Sequence, residues 1–176
     1  HAPYDARSPY AKLDIPQNVR IFTERDVECA ELPELGVRVY GAAFTGSTDG
    51  PDITNIRTER AEGTWNILCA HGEVGFDPVN EQALSASGLD YAALGHIHKA
   101  SGLRRSGGTW YSWPGCPEGR GFDETGEKHV YIVTLGSGCS VKPVCIAQRK
   151  YEILNVELKS GDAVSDVLAA LPENTR

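Results

Sequence analysis

Apolar residues in this chain come mostly in short runs, and the length and flanks of each run say what it forms. Runs of β-branched and aromatic residues over 19–22, 27–32 and 37–44, separated by Pro33 and Gly36, predict strands joined by tight turns. Residues 1–13 hold Pro3, Asp5, Ser8 and Pro9 without a strand or helix period, and predict a loop. A polar stretch over 46–60, opening Gly46-Ser47-Thr48-Asp49-Gly50-Pro51, predicts an exposed loop. Continuous apolar character over 65–70, ending at His71 and Gly72, is that of a strand covered on both faces. Asp77 is placed as a helix cap, with Pro78 at the first helical position and Gly88 as the carboxyl-terminal stop. A second apolar strand follows at once from Leu89. Strand, helix and strand at this spacing form a βαβ unit, whose strands run parallel.

Beyond Ala100 the pattern changes. Gly107-Gly108 marks a hairpin turn, 109–113 is aromatic and strand-like, and 114–126 is a long polar loop with Glu118, Arg120, Asp123 and Glu124. Runs over 130–135, 141–146 and 151–158 predict antiparallel strands. Val164, Val167, Leu168 and Leu171 fall at helical spacing, as core or interface positions, with Pro172 ending that helix. Neither a repeat nor a low-complexity segment is visible.

Composition narrows the class. The chain has 176 residues, 40% hydrophobic and 23% charged, which suits one globular domain or part of a larger one. No apolar run is long enough to span a bilayer, and no leader-like segment opens the chain, so a soluble cytoplasmic protein is expected. Five cysteines without a Cys-x-x-Cys pair fit reduced thiols. Cys69 is read as a small buried residue and Cys116 as a candidate reactive thiol. A net charge of −7 argues against broad electrostatic binding to nucleic acid, although bound cations would restore positive charge locally at a phosphate site. The chain begins with His1 and holds no methionine, which suggests a processed piece or an excised fragment of a longer protein.

The chemistry concentrates at Gly95-His96-Ile97-His98. Histidines two positions apart share a face on a regular strand, and neutral imidazole is a preferred ligand for zinc, manganese and iron. Parallel strands end on one edge of their sheet, so topology should carry His71 to the same crevice as His96 and His98, where open α/β sheets bind ligands. The alternative is a set of histidines that hydrogen-bond loop backbone. Lys99, Arg104, Arg105 and Arg120 lie just past them and suit either a phosphate backbone or an ordinary solvated surface. His129, at the start of a strand, is expected at the surface.

Three segments carry a resemblance: Cys69-Ala70-His71-Gly72, then Leu89-Asp90-Tyr91-Ala92-Ala93-Leu94-Gly95-His96-Ile97-His98-Lys99, then 111–128. The last contains Pro114-Gly115-Cys116-Pro117-Glu118-Gly119-Arg120-Gly121-Phe122-Asp123-Glu124. Together they resemble the calcineurin-like metallophosphoesterases and, among these, the SbcD-type DNA-repair exonucleases. The resemblance implies an α/β fold, half of a four-layer sandwich with mixed sheets, a βαβ unit and then antiparallel strands. Residues 1–158 would be the later part of the catalytic domain and 159–176 the start of a capping region.

It further implies two divalent ions, usually manganese, with His71 and His96 on one and His98 on the other. His1 would sit where a catalytic histidine acts on the leaving group, although Ala2 stands where the family has an acidic residue; a residue left from an expression tag is the alternative. Lys99 and Arg120 would meet the substrate. DNA, a second copy of the chain and an SbcC-type ABC ATPase are the implied partners. The family's Asp-x-His, Gly-Asp-x-x-Asp and Gly-Asn-His asparagine ligands are absent from these residues. Inactivity of this chain alone is therefore expected. The runner-up functions are hydrolysis of a small phosphoester or phosphoprotein, and a binding module without catalysis.

Overall fold

The centre of the molecule is β3 (Trp65–His71), whose alternate residues Asn66 and Leu68 are fully buried. A computed structural model describes residues 3–45, 53, 55–72, 79–157, 159–161 and 163–172. On one side of β3 lies β2 (Val37–Gly41), paired in parallel, and beyond it β1 (Glu28–Leu32), antiparallel to β2. On the other side β4 (Tyr91–Gly95) is parallel to β3, with Ile67 opposite Tyr91 and His71 opposite Gly95. The parallel strand β6 (Thr109–Ser112) and the antiparallel edge strand β5 (Arg104–Ser106) complete a six-stranded mixed sheet of order β1-β2-β3-β4-β6-β5. A separate hairpin, β7 (His129–Leu135) with β8 (Cys139–Cys145), is antiparallel. The fold is α/β, a mixed sheet with its βαβ unit and the β7–β8 antiparallel hairpin where the sequence places them.

The crossover helix α1 (Glu81–Ala86) packs its Ala83 and Leu84 onto one face of the sheet. Leu68, Ala92 and Tyr111 are register partners on that face. With Ile53, Ile56, Val79, Leu89, Leu94 and Trp113 they form the apolar core. The helix begins later than expected. Asp77 and Pro78 lie outside the described residues, and the cap is Asn80, whose Oδ1 accepts from Ala83 N at 2.6 Å. Gly88 does end the helix, at φ 77°, and its backbone lies so close to Thr58 O that a Cβ would come within 2.2 Å.

Several expectations fail in instructive ways. Residues 19–22 form no strand: Glu28 Oε2 accepts hydrogen bonds from the backbone amides of Thr23 and Glu24 at 2.6 and 3.0 Å, and the Phe22 ring lies over Gly41. The segment is thus a strap across the end of β2, which itself stops at Gly41 rather than at Phe44. Residues 151–157 form no strand either; Tyr151 makes an isolated bridge to Thr125 in the preceding loop. The last helix, α2 (Val164–Ala169), forms where its spacing predicts but buries no residue, with Val164 and Leu168 exposed, so of the core and interface readings only the core one fails among the described residues. Cys69, expected to be buried, is exposed on the sheet face opposite α1, although desolvation still raises its thiol pKa. No helix among the described residues is long and apolar enough to cross a membrane.

Candidate metal edge

β3 and β4 are parallel neighbours, so their carboxyl ends coincide. His71 is the last residue of β3 and pairs with Gly95, immediately before His96. The two imidazoles stand edge to face, with centroids 5.3 Å apart and planes at 89°. Phe44 closes the other side of His71 at 5.8 Å. Gly95 is needed for this approach: a Cβ there would come 2.9 Å from His71 Nδ1.

The strand does not continue into the motif. β4 ends at Gly95 and His96 adopts φ 98°, the only non-glycine residue with positive φ among those described. The expectation that His96 and His98 share a face by strand alternation therefore fails; they lie on a bend past the end of β4, with Ile97 between them packed against the core. A left-handed backbone costs a residue with a Cβ about 1–2 kcal/mol and persists where surroundings over-determine it. Strain of this kind clusters at functional sites.

Trp113 fastens the strand end. Its side chain is 1% exposed, and its Nε1 donates to Gly72 O at 2.9 Å, fixing the residue after His71. Gly72 N in turn donates to Gly95 O at 3.2 Å. Nothing in the sequence pattern marked Trp113 beyond its place in an aromatic run.

His98 occupies a different setting. It is exposed and lines a cavity of about 590 Å³ with Cys116, Glu118, Arg120, Glu124, Arg149 and Tyr151. Its Nδ1 is hydrogen-bonded to Glu124 Oε1. The backbone amide of Arg120, together with His98, holds the Glu124 carboxyl below its usual range. Cys116 is half-buried with its Sγ directed at His98 O, 3.6 Å away. Lys99 is exposed on the same turn, and Arg120 is exposed at the cavity. Arg104 and Arg105 are drawn aside, their guanidiniums 5.8 Å from the Trp113 ring centroid and 4.9 Å from that of Trp110. His129 is half-buried at the start of β7, its ring 5.4 Å from that of Tyr131. His1 lies outside the described residues.

The donors fit part of a divalent-metal site. The His71 and His96 rings meet edge to face at the strand end and His98 Nδ1 is engaged by Glu124; imidazole nitrogen is a donor that divalent metals accept. Among the described residues no group of three or more His, Cys, Asp or Glu is assembled that could hold an ion.

A mixed α/β sheet that brings histidines to the carboxyl edge of its parallel strands defines a ligand-binding edge suited to metal chemistry. No family model matches the chain. The chain is similar to the uncharacterized metallophosphoesterase YhaO of Bacillus subtilis strain 168, with 28% identity over 139 residues, covering 73% of this chain and 34% of the relative. It thus spans about a third of the length of the relative it matches. This distant likeness supports the calcineurin-like metallophosphoesterase superfamily, whose members generally use divalent metals.

Proposed function

We propose that the protein carrying this chain is a metal-dependent phosphodiesterase of the SbcD type, an exonuclease acting on DNA ends in repair. The observation that carries the metal reading is the strained His96, held against His71 at the shared end of two parallel strands. His71 and His96 would hold one divalent ion and His98 a second, manganese being the expected metal. When bound, such ions supply an activated water and stabilise charge on the phosphate.

The chain's own residues orient those ligands and meet the substrate. Arg120, at the mouth of the His98 cavity, and Lys99, beside His98, suit the phosphates flanking a scissile bond. Lysine and arginine contacts of this kind position a nucleic acid without reading its sequence, which fits an end-processing enzyme. The net charge of −7 confines such attraction to the site itself. Working with a second copy and with an SbcC-type ATPase in the cytoplasm belongs to the same proposal.

The test is degradation of linear duplex DNA by the complete parent protein, with and without Mn²⁺, beside a panel of phosphomonoesters. Mn²⁺-dependent loss of DNA ends, reduced by Arg120→Ala, supports the proposal. A manganese-loaded protein that leaves DNA ends intact, or prefers monoesters, overturns it.

A further inference from the structure

The loop over 114–126 holds His98 at two points. Its first part holds the backbone: Cys116 N donates to His98 O at 3.1 Å, and Gly115, at φ 86°, lies so close that a Cβ would come 2.8 Å from the same oxygen. Its last part holds the ring, through Glu124 Oε1 on His98 Nδ1.

Glu124 is itself well braced. Its second oxygen, Oε2, accepts from Arg120 N at 2.7 Å, and its own amide donates to Gly121 O at 3.0 Å. Gly126 N donates to Tyr151 O at 2.9 Å and Thr125 bridges to Tyr151, tying the loop end to the following segment. The Glu124 side chain is 11% exposed, whereas that of His98 is 68% exposed. A shielded, fixed carboxylate thus faces one nitrogen of a ring whose other side is open.

Imidazole carries one proton when neutral. A carboxylate on Nδ1 accepts that proton's hydrogen bond, which leaves the lone pair on Nε2. We infer that Glu124 is a positioning residue: it locks His98 in the Nδ1–H tautomer and aims Nε2 outward as a ligand for a divalent ion, without touching the ion itself. The inference rests on His98 being a metal ligand, as proposed above. Carboxylate partners of this kind are worth about 10–100-fold in metal affinity.

Two readouts test it separately. Nitrogen-15 NMR of histidine-labelled protein at pH 8, with His98→Ala identifying the resonance, should show the Nδ1–H tautomer of His98. In Glu124→Ala it should move toward Nε2–H, and Glu124→Asp should recover part of the original pattern. An Nε2–H tautomer in the unaltered protein, or the same tautomer in Glu124→Ala, overturns the inference.

Mn²⁺ titration of the complete parent protein gives the second readout. Glu124→Ala should weaken binding about 10–100-fold with unchanged circular dichroism. Wild-type affinity in Glu124→Ala, while His98→Ala loses an ion, overturns the positioning role alone. Wild-type affinity and stoichiometry in His98→Ala overturn the metal reading of His98 instead, whatever its tautomer.

Discussion

At the scale of single residues, His96 states most clearly that the edge of the sheet is built for something other than stability. A histidine at φ 98° is strained, and glycine would relieve that strain. Both His96→Ala and His96→Gly delete the imidazole, but only alanine keeps a Cβ in the unfavourable backbone. His96→Gly should therefore be the more stable of the two by about 1 kcal/mol, since relief of about 1–2 kcal/mol outweighs the greater chain entropy of unfolded glycine. Urea unfolding of the two variants measures the difference, and an alanine variant as stable as the glycine one would mean that the strain is absent. The histidines were legible in the sequence because the βαβ pattern predicts where parallel strands end. Their geometry was not: a left-handed histidine has no sequence signature, and the argument from strand alternation assumed that β4 continued past Gly95. Glu124 was visible only as one acid among several in a polar loop, since nothing local to 114–126 shows that its carboxylate returns to His98.

At the scale of elements, periodicity found β1 to β4, β6, β7 and β8 but misjudged the pieces held by side chains. The run over 19–22 has strand composition, yet Glu28 satisfies the neighbouring amides and Arg20 Nη2 lies 2.9 Å from its Oε1. Competition of a carboxylate for backbone N–H groups cannot be seen in hydropathy. The same contacts predict a pH response. The amide of Glu24 is the largest influence lowering the Glu28 pKa from its usual 4.5, joined by that of Thr23 and by Arg20 against an opposing desolvation. A lowered folded pKa means that the contribution is complete above about 4.5 and is lost as pH falls through the folded value. Unfolding midpoints measured between pH 7 and pH 3 should fall more steeply below pH 4.5 in the unaltered chain than in Glu28→Gln, which has no carboxylate to protonate. Parallel slopes for the two would show that the strap does not depend on the charge.

At the scale of the whole molecule, the sheet is finished on the α1 face and only partly covered on the other, where Val37, Val39, Trp65 and Ile67 are half-buried and Cys69 is exposed. The candidate metal edge shows the same incompleteness. The ring centroids of His71 and His96 are 5.3 Å apart, His98 stands in its own cavity with Glu124, and among the described residues no group of three or more His, Cys, Asp or Glu that could hold an ion is assembled. An ion held by two neutral nitrogens lacks the anionic ligands that stabilise a second positive charge nearby, because two divalent ions about 3.5–4 Å apart repel strongly unless carboxylate lies between them. The 176-residue chain alone should therefore bind at most one Mn²⁺, weakly, and show no phosphodiesterase activity above background. His71→Ala should remove that binding, because it takes away one of the two imidazoles that meet at this strand end. His129→Ala should not change it, because that ring lies on β7 against Tyr131. Isothermal titration with Mn²⁺ and hydrolysis of a chromogenic phosphodiester measure both quantities on one preparation. Two tight ions on the isolated chain, or turnover that survives His96→Ala, would show that the ligands lie elsewhere than at the shared end of β3 and β4.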